Sequence, residues 1–196
     1  YAVKVCATAD NNLCPIGPVD LTFEAGKKYT VAASDLLAQI KADVFVDGNA
    51  KNGVAKARVV HLSADTPAVD VLTQDKSAKV VENLAYPKAT GYLELEAGDY
   101  DLIVCANADN SVCPLDPGPL ALKNGVAYSV FAVGSLAQPE GAAALTAVVA
   151  VDGTATKAPA TDTETTSSST WMLVLAGAGL LGLVASRRFV TARAAK

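Results

Sequence analysis

The residues with the clearest capacity for chemistry surround the single histidine of the chain. His61, Ser63 and Asp65, with Asp70 nearby, are the residue types of a serine hydrolase. Their spacing argues against that chemistry, because Ser63 lies two residues from His61 on a predicted strand and shares its face with little freedom. No Gly-x-Ser-x-Gly turn or oxyanion-hole loop is evident. We expect a structural role instead: Asp65 caps a turn before Pro67, and His61 or Ser63 binds loop backbone.

Four cysteines form two pairs of identical spacing, Cys6/Cys14 and Cys105/Cys113. A zinc site normally uses cysteines about two to four residues apart, whereas these cysteines are eight positions apart and the chain has a single histidine, His61. Disulfides are therefore favoured, and the duplication of the spacing predicts that each pair closes its own loop. Disulfides indicate an oxidising, extracytoplasmic compartment.

The two loops between the paired cysteines are candidate contact surfaces, since both are polar and loops on a rigid scaffold commonly carry binding sites. Their Asp and Asn oxygens could bind Ca²⁺, but two such residues per loop are too few and do not match an EF-hand. The same residues favour simple turns. We predict no metal and no cofactor. The candidate contact residues are Asp10, Asn11, Asn12, Asp109, Asn110 and Ser111.

The elements that carry these loops are duplicated. Residues 1–33 match residues 100–132 at a shift of 99, with 15 identities in 33 positions. Self-similarity of this kind indicates repeated structural units. The first copy starts in mid-domain, so residues 1–50 are expected to be the C-terminal half of a truncated repeat, in a fragment of a longer tandem array.

Residues 57–155 are predicted to be a complete repeat, preceded by a linker at 51–56. Short alternating segments separated by Gly, Pro, Asn and Asp predict about seven strands, which favours an all-β, immunoglobulin-like antiparallel sandwich. Gly26-x2-Tyr29 and Gly125-x2-Tyr128 predict either a tyrosine corner or plain core tyrosines. Strand alternation from Tyr100 onward turns Cys105 away from the core, to a rim position.

The stretch 57–71 resembles the opening motif of the domain of unknown function 4397 family, roughly Arg-x-x-His-x-Ser-Pro-Asp-Ala-Pro-x-Val-Asp-Val. Here Ala64 and Thr66 replace the usual Pro and Ala. The resemblance implies a secreted or surface-anchored β-sandwich of bacteria or archaea, often in tandem, with no established activity. The motif residues, interpreted as structural, are His61, Ser63, Asp65, Pro67 and Asp70.

The C-terminal residues predict a membrane anchor. Residues 156–170 are rich in Ser and Thr and predict a disordered stalk. Residues 171–190 predict one transmembrane helix contacting lipid, with Trp171, Arg187 and Arg188 at its interfaces and residues 191–196 as a basic cytoplasmic tail. A buried soluble helix is disfavoured because the segment is apolar on all sides. A cleaved sorting signal is the other alternative, but no Leu-Pro-x-Thr-Gly motif is present.

The charge distribution restricts the partners. Residues 1–170 carry a net charge of −8 and the remainder +4, which argues against nucleic-acid binding. We predict a non-catalytic, structural or adhesive protein anchored in the cell membrane by a single pass, with the repeats extracellular and the C-terminus cytoplasmic. The alternative is an extracellular module that binds a glycan or peptide through the stapled loops. An enzymatic or enzyme-accessory role ranks third.

Overall fold

The computed structural model describes residues 1–6, 12–35, 39–138 and 144–155. Within these ranges the regular elements are fourteen β-strands and no α-helix, which confirms the predicted all-β class. Residues 1–48, called here the N-terminal segment, form two hairpins. Their strands are β1 (Ala2–Val5), β2 (Ile16–Asp20), β3 (Lys28–Ser34) and β4 (Lys41–Asp47).

Residues 55–155, called here the main domain, contain the other ten strands. The first begins two residues before the domain boundary predicted from the sequence. The strands are β5 (Ala55–His61), β6 (Val69–Thr73), β7 (Lys79–Leu84), β8 (Lys88–Ala89), β9 (Leu93–Leu95), β10 (Gly98–Tyr100), β11 (Leu102–Ala106), β12 (Leu120–Leu122), β13 (Val126–Val133) and β14 (Thr146–Thr154).

The main-domain strands form a five-stranded sheet, a three-stranded sheet and a two-stranded sheet. The five-stranded sheet has the order β14-β13-β5, with β8 and β9 both pairing β5; the three-stranded sheet is β11-β6-β7; and β10 pairs β12. The predicted antiparallel arrangement needs one correction, because β5 and β13 run parallel. These strands are far apart in the chain, so no hairpin turn forces them to be antiparallel.

The two larger sheets bury one apolar cluster between them. Val69, Val71 and Val104 of the three-stranded sheet pack with Ala132 and Val59 of the five-stranded sheet. Alternate residues of each strand point to the same face, so this cluster defines the inner face of both sheets. The immunoglobulin-like sandwich itself stays a prediction.

The N-terminal segment covers the opposite, outer face of the five-stranded sheet. Ala32 of β3 and Phe45 of β4 pack against Val60, Leu62 and Phe131. Strands β5 and β13 are therefore covered on both faces, which explains their nearly continuous burial.

Among the described residues, no helix has the length and apolarity needed to cross a membrane. The predicted stalk, the span at 171–190 with Trp171, Arg187 and Arg188, and the basic tail all lie outside those residues.

Candidate functional site

His61 and Ser63 lie at the end of β5 and are completely buried. His61 Nδ1 accepts a hydrogen bond of 3.3 Å from the backbone N–H of Ser63. The proton of the neutral ring is therefore on Nε2, which donates to the Pro67 carbonyl at 3.2 Å. Burial lowers the pKa of His61, against the opposing effect of its backbone hydrogen bonds. The Ser63 hydroxyl bonds Thr66 Oγ1 at 2.6 Å and Asp65 at 3.2 Å.

Asp65 ties the turn after β5 to the loop after β13. Its carboxylate accepts hydrogen bonds from the Ser135 hydroxyl at 2.6 Å and from the backbone N–H groups of the next two residues at 2.9 and 3.0 Å. These donors hold the pKa of Asp65 well below its usual range, the Ser135 hydroxyl contributing most. The carboxylate therefore holds two loops together at one end of the five-stranded sheet.

Asp70 is the centre of a second, separate cluster on β6, and it is completely buried. One carboxylate oxygen accepts from the Asn83 backbone N–H at 2.8 Å and the Asn107 side chain at 2.9 Å. The other accepts from Asn110 and forms an ion pair with Lys79, both at 2.8 Å. Burial alone would raise the pKa of Asp70, but these donors outweigh it and keep the pKa below its usual range.

Both cysteine pairs are bridged as predicted, Cys6 to Cys14 and Cys105 to Cys113. The predicted rim position of Cys105 is wrong, since this residue has no exposed surface. It does lie away from the sheet-to-sheet core, opposite Asp70 in the β6–β11 ladder. The following loop folds back over this face through backbone bonds such as Ala106 N–H to the Val112 carbonyl, 2.8 Å, and so buries it.

The candidate contact residues have different surroundings. Asn110 points inward to Asp70 and to the Ala106 carbonyl. Asp109 and Ser111 are exposed and joined by an Asx-type bond of 2.9 Å. Asn12 is exposed, while Asp10 and Asn11 lie outside the described residues. The structure thus joins Asn110 with Asp70, and leaves Asp109 and Ser111 on the surface.

A buried arginine that sequence reasoning left without a role connects the N-terminal segment to the main domain. Arg58 on β5 donates to the Val46 carbonyl at 2.8 Å, to the Ser129 hydroxyl at 2.6 Å and to the Asp47 carboxylate. Its guanidinium also lies 4.8 Å from the Tyr92 ring centroid, a cation–π distance. Each of the three guanidinium nitrogens has a hydrogen-bond partner in one of the two regions.

The same polar pattern occurs on both sides of this contact. In the N-terminal segment Thr30 donates to Asp47 at 3.1 Å, and in the main domain Ser129 donates to Asp152 at 2.7 Å. The sequence signal was available: Val-x-Val-Asp-Gly occurs at 44–48 and again at 149–153. Close approach explains the first glycine of this pattern, because a Cβ on Gly48 would lie 2.8 Å from the Tyr92 ring.

The fold and the site together define an all-β, disulfide-stapled domain whose motif residues bind one another and nearby backbone. The sequence profile of the domain of unknown function DUF4397 matches residues 1–72 and 55–166. The chain belongs to this family, which confirms the resemblance found in residues 57–71. No curated protein matches the chain.

Among solved structures, the chain is similar to the C-terminal domain of AlgF from P. aeruginosa. The identity is 20%, and the match covers 51% of this chain and 99% of that domain with a TM-score of 0.38.

Proposed function

We propose that this protein is a non-catalytic structural or adhesive module displayed outside the cell. The observation that carries the proposal is how the motif residues are used. His61, Ser63 and Asp70 are completely buried, and their hydrogen bonds go to loops of the same domain. A nucleophile or general base must reach a substrate atom, and these groups hold the fold together instead.

The contact around Arg58 supports a structural role in particular. It joins the N-terminal segment to the main domain through a guanidinium and a carboxylate whose side chains are 4% and 8% exposed. A buried contact of this kind, in which each guanidinium nitrogen is hydrogen-bonded, gives a defined geometry between neighbouring units. We infer that immunoglobulin-like sandwiches of this type stack in tandem as a stiff surface rod.

The proposed location combines the two disulfides with the tail sequence. Paired cysteines suit an oxidising compartment, and the stalk, apolar segment and arginines of residues 156–196 suit a single-pass anchor with the C-terminus inside. In this proposal lipid is the partner of residues 171–190, and the acidic main domain faces away from the cell.

Topology and redox state test this proposal in one experiment on the full chain expressed in a bacterial host. Intact cells are treated with protease and, separately, with a thiol-alkylating reagent before and after reduction. We expect protease to remove residues 1–155, the C-terminus to stay protected in the membrane fraction, and all four cysteines to react only after reduction. Free thiols in native protein, or repeats that are protected until the cells are lysed, would overturn it.

A second candidate is recognition of a glycan or peptide by the stapled loop 105–113. The specific observation is that Asp109, Ser111 and Val112 are exposed while the loop is fixed from below by Asp70 and by the disulfide. A glycan and peptide array with the full chain tests this candidate. A real binder should be lost in Asp109→Ala and retained in Asp75→Ala, which removes an exposed Asx-type turn elsewhere. An array with no signal above background removes this candidate.

A further inference from the structure

The main domain contains a cavity of about 170 Å³ between its two larger sheets. On the five-stranded side its wall is made of small residues, including Ala57, Val59, Ala132 and Ala147. On the opposite side it meets Leu102 and Val104 of β11. Small side chains on one face of a sheet leave volume that larger residues would fill, so the cavity follows directly from the Ala- and Val-rich composition of these strands.

The wall is almost entirely apolar. Tyr100 lines the cavity, but its hydroxyl already donates to the Glu96 carbonyl at 3.0 Å. In the described part of the chain, no buried side-chain nitrogen or oxygen lacks a hydrogen-bond partner. A water molecule in a cavity needs two or more polar partners, and apolar cavities of about 150 Å³ stay dry and accept molecules the size of benzene.

The cavity is preformed and reaches the surface. Pro117, Gly118 and Pro119 line one end, where the prolines fix the backbone and the Gly118 N–H donates to Asp116 at 2.9 Å. A stiff loop prevents this end from collapsing inward. Leu93 and Val149, which also line the cavity, are 38% and 47% exposed, so an occupant has access from solvent.

The charged residues beside the cavity determine which charge the head group of a bound molecule can carry. Glu94 and Glu96 alternate with lining residues on and after β9, and Asp116 precedes the proline loop. Lys51, at 2.6 Å, and Lys56 both act on Glu94, and Arg58 of the lining is paired with Asp47. Glu96 and Asp116 form no ion pair among the described residues, which leaves the rim acidic on balance. A carboxylate head would therefore be repelled, whereas an uncharged head would not.

We propose that this cavity binds one unbranched hydrocarbon chain of about eight carbons, with an uncharged head group at the rim, since its volume slightly exceeds that of a cavity that holds a six-carbon ring. This inference goes beyond the proposed surface role and does not depend on it. The chain can come from a free alkyl molecule or from a membrane lipid.

Methyl NMR on the full chain in nanodiscs of deuterated zwitterionic lipid tests the proposal with 1-octanol as the probe. We expect saturable shifts and intermolecular NOEs at the methyl groups of Leu102, Val104 and Val130. The exposed valines of β4, Val44 and Val46, are internal controls and should show neither. Octanoate at neutral pH should bind at least threefold more weakly. Absence of lining NOEs, equal effects at Val44, or equal binding of octanoate overturns the proposal.

Two variants on β14 form a matched pair. Ala147→Leu fills the cavity and should weaken octanol binding at least tenfold. Val148→Leu lies on the same strand, is exposed and points away, and should stay within twofold of the parent. Parental binding by Ala147→Leu overturns the proposal; if this variant does not fold, the NOE pattern of the parent decides. A sample with protonated lipid identifies the source, since NOEs from lipid chains to the same methyl groups would assign the site to a membrane lipid.

Discussion

The N-terminal segment and its counterpart in the main domain carry the same local structure in different surroundings. Tyr29 Oη accepts the Glu24 N–H at 3.0 Å, and Tyr128 Oη accepts the Lys123 N–H at 3.2 Å. Both regions have one disulfide with a sequence separation of 8. The tyrosine-corner interpretation therefore describes the local hydrogen bonding better than that of plain core tyrosines.

The two regions differ in what covers them. Val31 of β3 is 40% exposed and Ala33 is also exposed, whereas Ala132, the counterpart of Ala33, is only 5% exposed. Strand β13 pairs with β5 and β14 and packs against the three-stranded sheet, while β3 pairs with β4. Local sequence thus determines the Gly-x2-Tyr turn, the disulfide and the tyrosine-corner hydrogen bond. Burial of the inner face depends on packing against a second sheet.

The largest effect should come from breaking the contact that joins the two regions. Arg58→Met leaves Asp47 buried without its cation, and removing one partner of a buried ion pair typically costs about 3–5 kcal/mol. We expect a loss of this size in the unfolding free energy from urea titration. Amides of β3 should also lose protection from hydrogen exchange.

An exposed pair is the control for Arg58. Lys51 and Glu94 keep 58% and 45% of their side-chain surface exposed, so Lys51→Met should cost less than about 1 kcal/mol. The double variant Arg58→Met/Asp47→Leu should recover much of the loss, because no uncompensated charge remains. If Arg58→Met costs no more than Lys51→Met, the contact does not hold the two regions together.

The second largest loss of stability is expected when a disulfide is removed, and the two disulfides can be compared directly. Replacing either pair with alanine removes a cross-link of the same loop length, worth about 2.5 kcal/mol through the unfolded chain. Cys105 is completely buried whereas Cys6 is not, so Cys105→Ala/Cys113→Ala should cost about 1 kcal/mol more than Cys6→Ala/Cys14→Ala. Native-state hydrogen exchange at β11 and β1 measures the two losses separately. Equal losses would mean that burial of the main-domain bridge adds nothing.

Much of the similarity between the N-terminal segment and the main domain could be predicted from sequence, because it depends on short-range patterns. The cysteine spacing, the Gly-x2-Tyr units and the motif around His61 are all local. The burial of Cys105 and the role of Arg58 were not accessible, because both depend on chain segments that fold back from elsewhere. Arg58 opens the family motif, yet its partners Asp47 and Ser129 are identified only when β4 and β13 are placed beside β5. The parallel pairing of β5 with β13 is a long-range feature of the same kind.

The third effect is a pH dependence of stability that arises in the main domain, since His61 is the single histidine of the chain. The pKa of His61 is lowered from 6.5 in the fold, so below that pH the unfolded chain binds more protons than the native one. The contribution of His61 to the unfolding free energy is therefore complete above about pH 6.5. It is lost with acidification, by up to about 1.4 kcal/mol per pH unit. Asp65 and Asp70 have pKa values lowered from 3.8 and so do not contribute in this window.

Urea titrations between pH 7 and pH 5 measure this slope, with His61→Gln as the matched variant. The variant should be less stable at pH 7 and should show a flatter pH dependence between pH 6.5 and pH 5. A slope that survives the substitution would assign the pH dependence to other groups, and would remove this difference between the two regions.

The smallest effect tests the feature that the two regions share. Tyr128→Phe removes one hydrogen bond from a buried hydroxyl and should cost about 1 kcal/mol, while Tyr29→Phe should cost about half as much, because water can replace the bond at the more exposed site. Tyr1→Phe, at a ring that is 83% exposed, should change nothing measurable. Equal losses at Tyr29 and Tyr128 would show that the tyrosine-corner hydrogen bond contributes the same stability with or without a covering sheet. No loss at Tyr29 would mean that this hydrogen bond needs burial to stabilise the turn.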